Sequence, residues 1–121
     1  MPFLRFKGFD KQVIESMSTS LIEQFCHIAD IPAEIVKLEL LQVERVTNSP
    51  LSVEIYMFQR EQEKHDAIAA MLDSELSQLG YQAHIFFVIL SPALYYKEGK
   101  PIKEIPRKSA GTGTPLPTSP V

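Results

Sequence analysis

The sequence predicts an α+β fold in which a strand, a helix and a strand occur twice, giving a four-stranded mixed sheet with two helices on one face and a C-terminal loop or short strand. Three observations carry the prediction. Two long segments place apolar residues at helical spacing, shorter runs of aliphatic and aromatic residues flank them, and turn-forming residues punctuate the junctions. The chain has 121 residues, enough for one core of ordinary domain size.

Residues Pro2 to Lys7 alternate aromatic or aliphatic with basic side chains, as a short strand does, and Gly8, Phe9 and Asp10 turn the chain. Asp10 offers a capping oxygen to a helix whose Val13, Met17, Leu21, Phe25 and Ile28 share one face. Asp30 and Pro32 end that helix. A second strand is predicted over Ile35 to Val43, with Lys37 and Glu39 pointing away from Val36, Leu38 and Leu40.

Thr47 to Pro50 break the chain again, and Leu51 to Phe58 predicts a third strand. Ile68, Leu72, Leu76 and Leu79 give one apolar face to a second helix over Glu61 to Leu79, which Gly80 closes. Ala83 to Leu90 reads AHIFFVIL, a strand expected at the centre of the core and buried on both faces. With both helices on one side of the sheet the other side lacks a layer, and the apolar run from Ile85 to Leu90 predicts that another subunit covers it.

The folded domain is assigned to residues 1–105. Within it, Ser91 to Ile105 is expected to be an ordered loop or short edge strand that crosses a neighbouring subunit. Residues 106–121 repeat Pro, Gly, Ser and Thr and are expected to form a flexible tail.

Composition excludes several functions. Twelve Lys and Arg against 15 Asp and Glu give a formal charge of −3, so no overall basic field gathers nucleic acid. No run approaches the ~20 apolar residues of a membrane span, and the single Cys26 cannot build a disulfide framework or a cysteine-rich zinc site. The N-terminal MPFLRFKGFDK lacks the parts of a signal peptide, so a cytoplasmic location is expected. Gly8 alone does not make a phosphate cradle, and no cofactor is indicated.

Pro2 is the residue with the most chemistry to offer. Removal of Met1 leaves it a secondary amine, and the ordinary α-amine value of about 7.7 to 8.0 falls towards neutrality in apolar surroundings or beside a cation. Such an amine is a general base able to take a carbon-bound proton. Phe3, Leu4 and Phe6 supply apolar neighbours, and Arg5, Lys7 and Lys37 supply positive charge for an enolate or a carboxylate. The plainer alternative is that proline begins a strand without costing a ladder hydrogen bond.

Pro2 together with the paired strand-helix-strand organisation resembles the tautomerase superfamily, which includes oxalocrotonate tautomerase and macrophage migration inhibitory factor (MIF). The segments MPFLRFKGF, IPAEIVKLELLQVE, EIYMFQREQEKHD and HIFFVILSPALYYKEGKPIKEIP, in that order, carry a nearer one. The nearer resemblance is to a bacterial domain-of-unknown-function family in that superfamily, and it spans about residues 1 to 106. It implies a tautomerase/MIF-like β-α-β repeat, a homo-oligomer with a trimer favoured, and pockets near the N-terminal prolines at subunit boundaries. It also implies Pro2 as catalytic base, Lys37 as a cation on the second strand, and Tyr95 and Tyr96 in the region that walls the pocket. A match to the full set of substrate-binding residues of the better understood enzymes is absent from the sequence.

Other residues have ordinary readings. Arg5 is expected to pair with Glu54 or another sheet residue, its alternative being to line the pocket. His27, His65 and His84 form no short metal-binding pattern, and His65 is expected on a solvated helix surface. The charges from Arg60 to Asp66 read as a solvated helix start, and Cys26 as packing. Two functions remain: cofactor-independent keto-enol isomerisation of a small carbonyl acid by Pro2, or a noncatalytic oligomeric scaffold or small-ligand-binding protein.

Overall fold

A computed structural model describes residues 2–102. The first strand, β1 (Phe3–Lys7), is followed by helix α1 (Lys11–Ala29), a 3-10 turn over Ala33–Ile35 and strand β2 (Lys37–Leu41). The second half has strand β3 (Leu51–Phe58), helix α2 (Gln62–Gln78) and strand β4 (Ala83–Leu90). A 3-10 turn over Pro92–Leu94 then leads into a small hairpin of β5 (Tyr96–Lys97) and β6 (Lys100–Pro101). The expected tail over 106–121, and the end of the expected domain, lie outside the described residues.

The sheet order is β2-β1-β3-β4. Each helix connects a parallel pair, β1 with β2 and β3 with β4, and the two halves join through the antiparallel pair β1 and β3. Alternation along each strand assigns the faces. Leu4 and Phe6, Leu38 and Leu40, Val53, Ile55 and Met57, and Ile85 and Phe87 pack in one cluster with the buried residues of both helices. The two-layer architecture expected from the sequence is therefore the one observed.

Local chemistry sets the element ends. The Asp10 carboxylate accepts from the Gln12 N–H at 3.0 Å, and Asp30 closes α1 in the left-handed region at φ 57°. Gly8 turns the chain at φ 87°, where a side chain would strain the backbone and its Cβ would lie 3.1 Å from Leu51. Gly80 follows α2 at φ 83°, with its N–H bonded to the Ser77 carbonyl.

Four expectations need correction. β2 is shorter than Ile35–Val43, because the 3-10 turn after Pro32 consumes Ala33–Ile35 and Val43 lies in an exposed loop. Leu79 is outside the apolar face of α2 and half exposed. His65 is buried, not solvated. β4 is an edge strand rather than the central one, and Phe86 and Ile89 remain 43% and 46% exposed. The run AHIFFVIL looks equally apolar on both faces, and only the pairing order shows which strand takes the centre.

Candidate active site

The face of the sheet away from the helices is more polar than its apolar edge strand implies. Its rows follow from the register: Glu39, Arg5, Glu54 and Phe86 lie side by side, and Lys37, Phe3, Tyr56 and Val88 form the next row. Arg5 Nε donates to Glu39 Oε1 at 2.9 Å, and its guanidinium lies 4.6 Å from the centre of the Tyr56 ring. Lys7 Nζ stands 2.6 Å from Glu54 Oε2, and the Tyr56 hydroxyl donates to Glu54 Oε1 at 3.0 Å. The expected structural pair of Arg5 is thus with Glu39, and Lys7 takes Glu54.

Glu54 is buried yet surrounded by donors. The hydrogen bond from Lys7 is the main force holding its carboxyl below the usual glutamate range, helped by Tyr56 and by the charges of Lys7 and Arg5, while burial pulls the other way. This network neutralises two of the three cations that the strands present to this face.

Lys37 has a different setting. Its ammonium donates to the Ile35 carbonyl at 3.1 Å and lies 5.1 Å from the centre of the Phe3 ring. Its backbone N–H donates to the Pro2 carbonyl at 3.0 Å. Pro2 itself is buried. One further step in each register sets Pro2 beside Val36 and Met57, on the core face of the sheet with Leu4 and Phe6.

An aromatic cluster stands at the same end of β1. Phe58 and Ile102 are buried there, with Phe3, Leu90 and Tyr95 packed against them. The Phe58 and Tyr95 rings meet edge to face at 5.8 Å and 89°. The Ile102 N–H donates to the Tyr95 carbonyl at 2.9 Å, which fixes the ends of the hairpin to each other. Tyr96, on β5, is 59% exposed and is not part of this cluster. Of the five site residues expected from sequence, Pro2, Lys37 and Tyr95 gather around Phe3 at one end of the sheet, whereas Arg5 is engaged by Glu39 and Tyr96 faces outward.

The β3–α2 junction holds groups that the sequence left as surface charge. Arg60 is 8% exposed, and its Nη1 donates to the Ala29 carbonyl at the end of α1. Its backbone N–H donates to Nε2 of the buried His65 at 3.0 Å, so that nitrogen is the unprotonated one. Lys64 Nζ donates to the Ile28 carbonyl at 3.0 Å. The last carbonyls of α1 therefore receive cations from the opposite half of the fold, which suits the negative end of a helix. A five-residue spacing between Arg60 and His65 was the sole local hint, and it is indistinguishable in sequence from charge on a helix surface.

An open groove of about 300 Å³ between the helices is lined by Glu23, Gln24, His27, Ile28 and Met71 and shares no residue with the aromatic cluster. Among the described residues, no group of three or more His, Cys, Asp or Glu is placed to hold a metal ion, and no helix is long and apolar enough to cross a membrane.

Residues 1–101 match the family described as Domain of unknown function (DUF1904), and the chain belongs to that family. A DUF1904 structure from Sebaldella termitidis superposes with a TM-score of 0.76 at 24% identity, covering 82% of this chain and 97% of that one. A fused 4-OT, solved as a wild-type asymmetric trimer, gives 0.68 at 16% identity and covers 82% and 94% of the two chains. A macrophage migration inhibitory factor-like protein from Entamoeba histolytica gives 0.66 at 7% identity, with 83% and 97% covered. No curated protein matches the sequence. The likeness to these structures shows a tautomerase/MIF-like fold.

Proposed function

We propose that this DUF1904 protein, once Met1 is removed, is a cofactor-independent isomerase that moves a proton between carbons of a small carbonyl acid. The observation that carries this reading is the placement of Pro2. It is buried at the opening of β1, tied to Lys37 through the ladder, and next in sequence to the aromatic cluster around Phe3. A terminus held in a sheet is ordered where a free one would fray.

In this mechanism the Pro2 nitrogen takes a proton from the carbon beside a carbonyl. The electrons of the broken C–H bond form a C=C bond, and those of the C=O bond pass to oxygen. The Lys37 ammonium stabilises the resulting oxyanion or the substrate carboxylate, and Tyr95 with Phe3 and Phe58 encloses the apolar part. Protonated Pro2 returns the proton to oxygen or to another carbon, so nothing is oxidised or reduced. Arg5 and Tyr96 serve less directly: Arg5 holds the sheet face through Glu39, and Tyr96 is available to an adjoining subunit.

The assembly proposed is a homo-oligomer, with a trimer favoured, in a cytoplasmic setting. Phe86, Ile89, Leu94 and Tyr96 leave apolar surface exposed on the edge strand, the 3-10 turn after it and the hairpin, which is the surface an assembly would take up. A panel of small and aromatic keto acids tests the activity. Turnover by the mature chain should vanish in Pro2→Ala and in protein that retains Met1. Equal turnover in all three forms removes Pro2 from the mechanism, and no turnover on any substrate favours a noncatalytic scaffold or ligand-binding role.

A further inference from the structure

The two helices concentrate the chain's negative charge. They carry Glu15, Glu23, Glu63, Asp66, Asp73 and Glu75 against Lys11 and Lys64 alone, although the chain has 12 Lys and Arg in all. The open groove of about 300 Å³ lies in this layer, with Ile28 and Met71 as its apolar residues and Glu23, Gln24 and His27 as its polar ones. It is separate from the edge strand and hairpin proposed for assembly, so an oligomer built through those surfaces leaves it open.

Contacts between the helices give the groove two unlike ends. At one, Ser20 and Gln24 of α1 meet Glu75 of α2: Gln24 Nε2 donates to Glu75 Oε1 and, at 3.0 Å, to Ser20 Oγ, whose hydroxyl donates to the same carboxylate oxygen at 3.2 Å. At the other, Lys64 Nζ donates to the Ile28 carbonyl at 3.0 Å. The side-chain donors of the first end are thereby spent, and acceptors remain: Gln24 Oε1, Glu75 Oε2 and the Glu23 carboxylate, which pairs with no other described residue. That end suits a cationic donor, and Lys64 repels one from the other end.

We propose that this groove docks a partner protein through an arginine of a basic segment, the aliphatic stem lying on Ile28 and Met71 and the guanidinium facing Glu23, Gln24 and Glu75. Arginine fits both halves of the groove. Its stem covers apolar surface while its planar head offers five donors to carboxylate and amide oxygens. Size favours a side chain over a whole small molecule, since enclosed ligand pockets start at roughly 300 Å³ and this groove is open. The surrounding acidic residues draw a basic segment towards it and set the sign of the partner. Nothing in this reading depends on the chemistry of Pro2.

The probe is the peptide acetyl-Gly-Leu-Arg-Leu-Gly-amide, titrated into the full chain with isotope labels on backbone amides and methionine methyls and followed by NMR. A second peptide carries citrulline, the uncharged isostere, in place of arginine. The arginine peptide should shift the Met71 methyl and the amides from Glu23 to Ile28, and the citrulline peptide should bind about tenfold more weakly. Glu23→Gln should weaken the arginine peptide about fivefold, whereas Glu15→Gln, two turns away on α1, should leave it unchanged. Equal affinity for the two peptides, or no shift at millimolar peptide, overturns the proposal. Equal losses in Glu23→Gln and Glu15→Gln overturn it too, because they mark a general attraction to acidic surface. Two peptide-free controls test the chain itself as occupant: removal of its own cations by Arg107→Gln with Lys108→Gln, and a concentration series. A shift of the same signals in either control assigns the groove to this chain or to a second copy, and overturns the partner.

Discussion

The backbone N–H of Lys37 donates to the carbonyl of Pro2 at 3.0 Å, so the first residue of β2 and the residue that opens β1 are held by one ladder bond. That bond is independent of the lysine side chain. The backbone bond to Pro2 and the proposed role of the Lys37 ammonium are therefore separable by substitution.

Lys37→Met is therefore expected to keep the fold while weakening the proposed chemistry. The aliphatic stem still covers Phe3 and the ladder bond survives, so stability should change by less than about 0.5 kcal/mol, as for an ordinary surface change. Loss of the cation should lower kcat/KM on a keto acid by about tenfold or more. Steady-state kinetics beside a denaturation curve checks both, and unchanged kcat/KM would remove Lys37 from the site.

Glu54 gives the fold a dependence on acid. Its carboxyl titrates below the ordinary glutamate value in the folded chain, chiefly through the bond from Lys7. A depressed carboxylate stabilises the fold above the unfolded value of about 4.3 and loses that contribution as pH falls through the folded value. Glu54→Gln should remove this part of the pH dependence, leaving a flatter stability curve below about pH 4.5. Urea denaturation at a series of pH values from 7 down to 2.5 would show it, and parallel curves for the two proteins would contradict it.

The elements were legible in sequence because their signals are local. The β3 and β4 boundaries follow from runs rich in aliphatic and aromatic residues, and Asp10 and Asp30 bracket α1 by cap chemistry. What was not legible depends on partners far along the chain. Arg5 faces both Glu39 and Glu54 across the register, and the choice between them is settled only once Lys7 has taken Glu54. Arg60 looks like solvated charge until its partner, the Ala29 carbonyl, is seen 31 residues away. A backbone carbonyl has no residue-type signature, so no pattern in the sequence could have announced that bond. Pro2, by contrast, is proposed from its position in the sequence, while its ladder bond to Lys37 required the parallel register.

Gly8 should not tolerate a side chain. Its φ of 87° is in the left-handed region, and a Cβ there would meet Leu51 at 3.1 Å. Gly8→Ala is expected to cost about 1 to 2 kcal/mol from backbone conformation, with the contact adding to it because Leu51 begins β3 beside the turn. A lowered midpoint in chemical denaturation would register the change. A variant as stable as the parent would mean that the turn re-forms without the positive φ.

Ile102 ties the C-terminal hairpin to the Pro2 end of the sheet. Its side chain is 1% exposed against Phe58, and its N–H closes on the Tyr95 carbonyl at 2.9 Å. Ile102→Ala removes the packing but leaves the backbone bond, so the expected cost is about 2 kcal/mol, at the low end for a buried isoleucine because the hairpin can settle into the space. The loss should be local: amide exchange should accelerate from Tyr95 to Ile102 while the amides of β1 and β3 keep their protection. Tyr95 would then wall the aromatic cluster less tightly, and KM for an aromatic keto acid should rise more than kcat falls. Uniform acceleration across the whole sheet would instead show that the hairpin and the sheet unfold as one unit.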